Sequence, residues 1–112
     1  AEPCRMIEKN PAASFDTTCR GNTIALITDG SRVLGFGNKG PLAAMPILEG
    51  KSVIFKTFAN VDAFPICLRT QNTEEIVQIV SLLGPTFGAV CIEDIDAPRC
   101  FQIEEMLVKS MN

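Results

Sequence analysis

The sequence predicts a layered α/β domain, a small mixed sheet flanked by helices, with elements in the order α-β-β-α-α-β-α-β-α. Three observations point there. Short runs rich in β-branched and apolar residues alternate with segments of helical periodicity, the pattern of strands covered by helices. The 112 residues amount to one domain's worth of chain. A hydrophobic content of 46% against 21% charged supplies enough apolar surface to offset chain entropy, which excludes a disordered chain.

The elements follow in order. Residues 3–9 read as the end of a helix with Met6 and Ile7 on its apolar side, stopped by Asn10-Pro11. Residues 23–28 (TIALIT) read as a strand. Asp29-Gly30 is a hairpin-type turn signal, so residues 32–36 (RVLGF) are expected to return as a second strand. A loop over residues 38–40 leads to a helix opened by Pro41, which Pro46 should kink or restart and Gly50 should break again. Residues 63–68 (AFPICL) read as a strand that Pro65 confines to an edge or a bulge. Asn72 with Glu75 three residues on is a capping pattern. The helix it opens shows Ile76, Ile79, Val80 and Leu83 on one face and ends at Gly84-Pro85. Residues 87–92 (FGAVCI) read as a buried strand. Asp96 or a neighbour caps the last helix, with Pro98 in its first turn and Phe101, Ile103, Met106 and Leu107 on its inner face.

Composition narrows the chemistry. The chain has no His, Trp or Tyr, so acid–base work must rest on Lys, Asp, Glu or Cys. Ten basic and 13 acidic residues give a net charge of −3 with no basic stretch, which speaks against a nucleic-acid partner. No apolar run reaches the roughly 18 residues that cross a bilayer. The start AEPCRMIEKN has no apolar core of a secretory signal. Five cysteines, an odd number without a C-x-x-C pair, read as free thiols in a reducing compartment; a cytoplasmic location is expected, an organelle matrix being compatible. Without His, a nucleophilic Cys lacks its usual activator.

Three places carry possible chemistry. Residues 35–40 (GFGNKG) have the G-x-G-x-x-G spacing of a dinucleotide fingerprint. The expected hairpin before them and the lack of an acid about 20 residues on argue instead for a tight glycine turn shaping another pocket. Glu93 and Asp94, with Asp96 nearby, lie at the end of a strand, where α/β sheets place their ligands. Hard carboxylate oxygens suit Mg²⁺ or Mn²⁺, but neighbours on an extended strand point to opposite faces, so both reach one ion only if the chain bends. The bare sequence favours a solvated turn with Asp96 capping the next helix, because acids are common before helices. Lys51 lies between two apolar runs beside Gly50: an apolar setting would make it a base near neutral pH, whereas a surface setting leaves a solvated head.

With these sites in line, the chain resembles the N-terminal domain of the malic enzymes of the compact bacterial type. The stretches ITDGSRVLGFGNKGPLAAMPILEGKSVIFKTFANVDAFPICL and PTFGAVCIEDIDAPRCFQIEEML carry the likeness across nearly the whole chain. The resemblance implies oxidative decarboxylation of malate to pyruvate and CO₂, with reduction of NAD or NADP and a requirement for Mg²⁺ or Mn²⁺. It makes Lys51, in the P-x-x-x-G-K pattern, the catalytic base. Glu93 and Asp94 become the metal-binding acids, and Arg32 grips a substrate carboxylate. It also takes the glycine loop out of consideration as the cofactor site, whose residues stay unassigned.

Two features depart from the family pattern. The family's general-acid Tyr precedes a T-P-G-V-A-E stretch, and this chain starts at Ala1-Glu2-Pro3, just inside it. The family's second, Rossmann-type domain holds the nicotinamide cofactor and a third metal acid, and nothing follows Asn112. Residues 1–112 are therefore expected to be one truncated domain, inactive alone. The native protein is expected to be a homo-oligomer such as a dimer, and the cut domain to self-associate or swap elements. The alternative is a non-enzymatic α/β interaction or regulatory module in which Glu93 and Asp94 serve only a turn.

Overall fold

The computed structural model describes residues 1–111. The chain runs α1 (Glu2–Lys9), α2 (Ser14–Thr17), β1 (Thr23–Thr28), α3 (Pro41–Ala59), β2 (Asp62–Cys67), α4 (Thr73–Leu82), β3 (Ala89–Ile92) and α5 (Arg99–Met111), with single 3-10 turns on either side of α2. β1 is the centre. Its TIALIT sequence buries Ala25, Leu26 and Ile27 completely, so both of its faces are covered. Such a strand suits a parallel sheet, whose connecting helices cover both faces. β2 and β3 pair with β1 on opposite sides, both parallel, in the order β2-β1-β3.

The side chains of β1 divide the core between the two faces. Ala25 and Ile27 join Ile76 and Val80 of α4 and Ile103 and Leu107 of α5 in one apolar cluster. Leu26 points the other way, toward the layer of α3, which buries Ala44 and Leu48. This follows from handedness. The β1-to-β2 crossover and the β2-to-β3 crossover run in opposite directions across the sheet, and right-handed connections then place their helices on opposite faces.

The layered α/β class is the one expected, with one strand and one helix fewer than expected and the short α2 in addition. Residues 32–36 do not return as a strand, so the sheet is wholly parallel rather than mixed. Leu34, Gly35 and Gly37 have φ of +49°, +80° and +92°, which no extended strand accommodates. Their hydrogen bonds are local instead: Val33 N–H donates to the Gly37 carbonyl at 3.0 Å and Phe36 N–H to the Val33 carbonyl at 2.8 Å. The expected two helices over residues 41–59 are one. Pro46 sits only one turn in, where its missing N–H concerns the exposed Leu42, and the helix runs on through Gly50.

Smaller expectations divide. Pro65 does lie on an edge strand, β2. Asn72 does cap α4, its side chain accepting from the Glu75 N–H at 2.9 Å. β3 is the other edge strand and only partly buried. Ile79 of α4 and Phe101 and Met106 of α5 face solvent, while Val77 is buried in their stead. The Asp96 carboxylate does not cap α5; it accepts from Ser31 and Arg99, and its backbone carbonyl accepts from Cys100 N–H.

Candidate functional site

β1 and β3 are neighbours whose onward connections leave for opposite faces, β1 to α3 and β3 to α5. Between the carboxyl ends of two such strands an α/β sheet opens a crevice. Asp29 follows β1 there, and Glu93 and Asp94 follow β3. Glu93 N–H still pairs with the Ile27 carbonyl at 2.8 Å, so Glu93 keeps the strand direction. Asp94 then turns left-handed, with φ +53°. The bend that two neighbouring carboxylates need to share a face is therefore present. Lys51, midway along α3, meets both: its ammonium donates to Glu93 Oε2 and lies 3.9 Å from Asp94 Oδ1.

Burial deepens across the cluster, with side-chain exposure falling from 32% at Lys51 to 25% at Glu93 and 14% at Asp94. Asp94 is the most constrained. Its carbonyl accepts from Arg32 N–H at 3.1 Å and from Thr28 Oγ1 at 3.4 Å. Its Oδ2 is buried with no hydrogen-bond partner among the described residues. A buried carboxylate oxygen left unpaired is costly, and a cation would satisfy it. The donor set fits a hard divalent ion, and Glu93 and Asp94 are the candidates to hold one. Among the described residues no group of three or more acids, Cys or His converges on one point.

Arg32 joins the site through its backbone. Its N–H bond to Asp94 fixes it beside the acids, while its side chain is exposed and makes no ion pair among the described residues. The guanidinium fork is free to take a carboxylate. The glycine loop is no nucleotide cradle, though one reason for that changes. It lies inside a β-α-β unit after all, between β1 and β2. But Gly35 comes seven residues after the end of β1 at Thr28, and β2 ends in Ile66-Cys67 without an acid. The loop is instead closed on itself at its base. The Gly30 carbonyl accepts from Lys39 N–H at 3.2 Å and Gly40 N–H at 3.0 Å.

Two of the thiols are held protonated. Burial first, then Glu93 and Glu104, push the Cys91 thiol up, and burial with Glu49 does the same at Cys67. Both are held away from the thiolate that a nucleophile requires.

Sequence reasoning missed a second charged cluster behind the acids. Asp29 is wholly buried, and its Oδ2 accepts from Arg99 Nη2 at 2.7 Å. Arg99 also gives Nε to Asp96 Oδ1 at 2.7 Å, Nη2 to Ser31 Oγ at 3.0 Å and Nη1 to the Gln71 carbonyl at 2.6 Å. Burial works to lower the Arg99 pKa, but Asp29 and Asp96 outweigh it and hold the guanidinium charged. Asp29 reads in the sequence as a turn residue, and nothing in a single sequence links it to an arginine 70 residues on.

A family model, that of the malic enzyme N-terminal domain, matches residues 6–108. The bifunctional malic/malolactic enzyme of Bacillus subtilis is 55% identical over all 112 residues, which span 27% of that protein. The NADP-dependent malic enzyme of Haemophilus influenzae is 51% identical over the same residues, 15% of its length. In three dimensions the NAD-dependent malic enzyme of Thermotoga maritima superposes with a TM-score of 0.94 at 47% identity, over 99% of this chain and 29% of that one. The chain thus spans about a quarter or less of the curated relatives it is compared with.

Proposed function

This chain belongs to the malic enzyme family through its N-terminal domain, and we propose that it supplies the base, the substrate arginine and the metal-holding acids of a malate-oxidising, decarboxylating active site. The observation that carries the reading is the meeting of Lys51 with Glu93 and Asp94, 42 and 43 residues on in sequence, in the crevice between β1 and β3.

Each role rests on chemistry present in the site. Arg32 binds a carboxylate of malate through its free fork and orients the C2 hydroxyl toward Lys51. Lys51 Nζ takes the proton of that hydroxyl as the hydride leaves C2 for NAD or NADP. The 2-oxo acid so formed loses its β-carboxylate as CO₂, and the electron pair of the broken bond moves toward the C2 oxygen. Glu93 and Asp94 would hold Mg²⁺ or Mn²⁺, which supplies Lewis-acid polarisation of that oxygen. Residues 1–112 act as one domain in this scheme, and the nicotinamide is bound outside them.

The same reading extends to assembly and location. We assign the native protein to a homo-oligomer, supported by the exposed apolar Leu42, Val53, Ile54 and Phe58 along α3. A reducing cytoplasm suits the five free cysteines. No helix among the described residues is long and apolar enough to cross a membrane.

The test is Lys51→Ala in the whole natural polypeptide that contains this chain. Malate-dependent formation of NADH or NADPH is expected to fall by about 10²-fold or more, the scale of losing a general base. Turnover close to that of the parent would remove Lys51 from the chemistry.

A further inference from the structure

We infer that Arg99 is a positioning residue that holds the Glu93–Asp94 turn in its ion-binding shape by clamping together the three loops at the carboxyl edge of the sheet. The inference rests on the metal-site reading above and deepens it. Asp94 turns left-handed, a conformation open to Asp, and three hydrogen bonds to one neighbouring segment fix the turn there. Its surroundings are residues 28–32: Thr28 Oγ1 and Arg32 N–H both bond the Asp94 carbonyl, and Asp96 N–H donates to Ser31 Oγ at 2.9 Å. The turn is thus stitched at both ends to the segment after β1.

Arg99 holds that segment in place. Through one guanidinium it reaches Asp29 and Ser31 after β1, Gln71 after β2 and Asp96 after β3. Gln71 in turn exchanges two hydrogen bonds with Asn38, at 3.0 and 2.9 Å, which carries the clamp to the glycine loop. Such reach needs a planar fork of donors, and a lysine ammonium cannot span it. Packing of α5 does not need the fork, because Ile103 and Leu107 already bury that helix in the core. A wholly buried Asp29 does need its partner, so removing the Arg99 charge outright risks the fold.

The conservative variant Arg99→Lys is therefore the probe, in the whole natural polypeptide, with Mn²⁺ alone as ligand and its affinity read by electron paramagnetic resonance. Thermal melts of the metal-free protein report folding separately. Arg99→Lys is expected to stay folded and to bind Mn²⁺ about 10-fold more weakly or worse, the scale seen when groups that orient metal ligands are changed. Should it not fold, Ser31→Ala, which removes the hydroxyl that joins Arg99 to the Asp96 N–H, is read by the same thresholds. A folded variant with affinity within about twofold of the parent overturns the positioning role, provided Glu93→Gln weakens binding in the same assay. If Glu93→Gln itself leaves the affinity unchanged, the metal-site reading fails and this inference falls with it.

Discussion

Asp94 concentrates the physical conflict of the molecule in one residue. It has a left-handed backbone, a carbonyl gripped by two donors, one carboxylate oxygen near Lys51 and the other buried without a partner. A side chain selected for folding alone would not be left so. Asp94→Asn separates the two roles, since Asn tolerates the left-handed region as well as Asp does. The metal-free variant is expected to melt at or above the parent temperature, with a gain of up to about 1 kcal/mol, while Mn²⁺ binding is lost. A clear drop in its melting temperature would make the acid a structural element rather than an ion ligand. At this scale the residue types alone point to Lys51, Glu93 and Asp94, and only the family likeness adds Arg32 and suggests a role for each. The sequence is silent on what joins them. The bend at Asp94 and the Asp29–Arg99 pair depend on contacts between distant segments, which no local spacing encodes.

Among the elements, the loop between β1 and α3 was the hardest to read. Asp29-Gly30 has the local signature of a hairpin, and a strand-like RVLGF follows it. Both local preferences yield to tertiary constraint, because β1 finds its neighbours in β2 and β3 instead. Gly30 shows why the loop closes where it does. Its φ is +71°, and a Cβ there would lie 2.1 Å from both the carbonyl carbon and oxygen of Gly40. Gly50, in the middle of α3, meets nothing within 4 Å. The two positions should answer oppositely to alanine. Gly30→Ala is expected to lose about 2 kcal/mol or more through strain and the opened loop. Gly50→Ala should gain about 0.5–1 kcal/mol from helix propensity and a less flexible unfolded chain. Denaturant midpoints check both, and equal responses would contradict this account of the loop. The periodic α4 and its Asn72 cap were by contrast legible, with Ile76 and Val80 on the buried face as expected, although Val77 rather than Ile79 joins them and Leu83 only caps the end.

At the scale of the whole molecule, chain direction decides where the site lies. Strand order β2-β1-β3 forces the crossovers onto opposite faces and opens the crevice between β1 and β3. The alternation of strands and helices made the α/β class legible. The order of strands was not, because it is set by pairings spanning tens of residues. The domain measures 49 × 31 × 19 Å, with a radius of gyration of 15.1 Å against about 13 Å for a compact chain of this length. The outer side of α3 leaves the apolar Leu42, Val53, Ile54 and Phe58 exposed. Metal-dependent malate oxidation is the activity proposed for this crevice. Its most direct test is reduction of NAD or NADP by malate in the whole natural polypeptide, followed before chelation of divalent cations, after it, and on addition of Mn²⁺. The account predicts reduced nicotinamide and CO₂ in equal amounts, abolished by chelation and restored by Mn²⁺. Malate oxidation that survives chelation, or none with either nucleotide when Mn²⁺ is present, would contradict it.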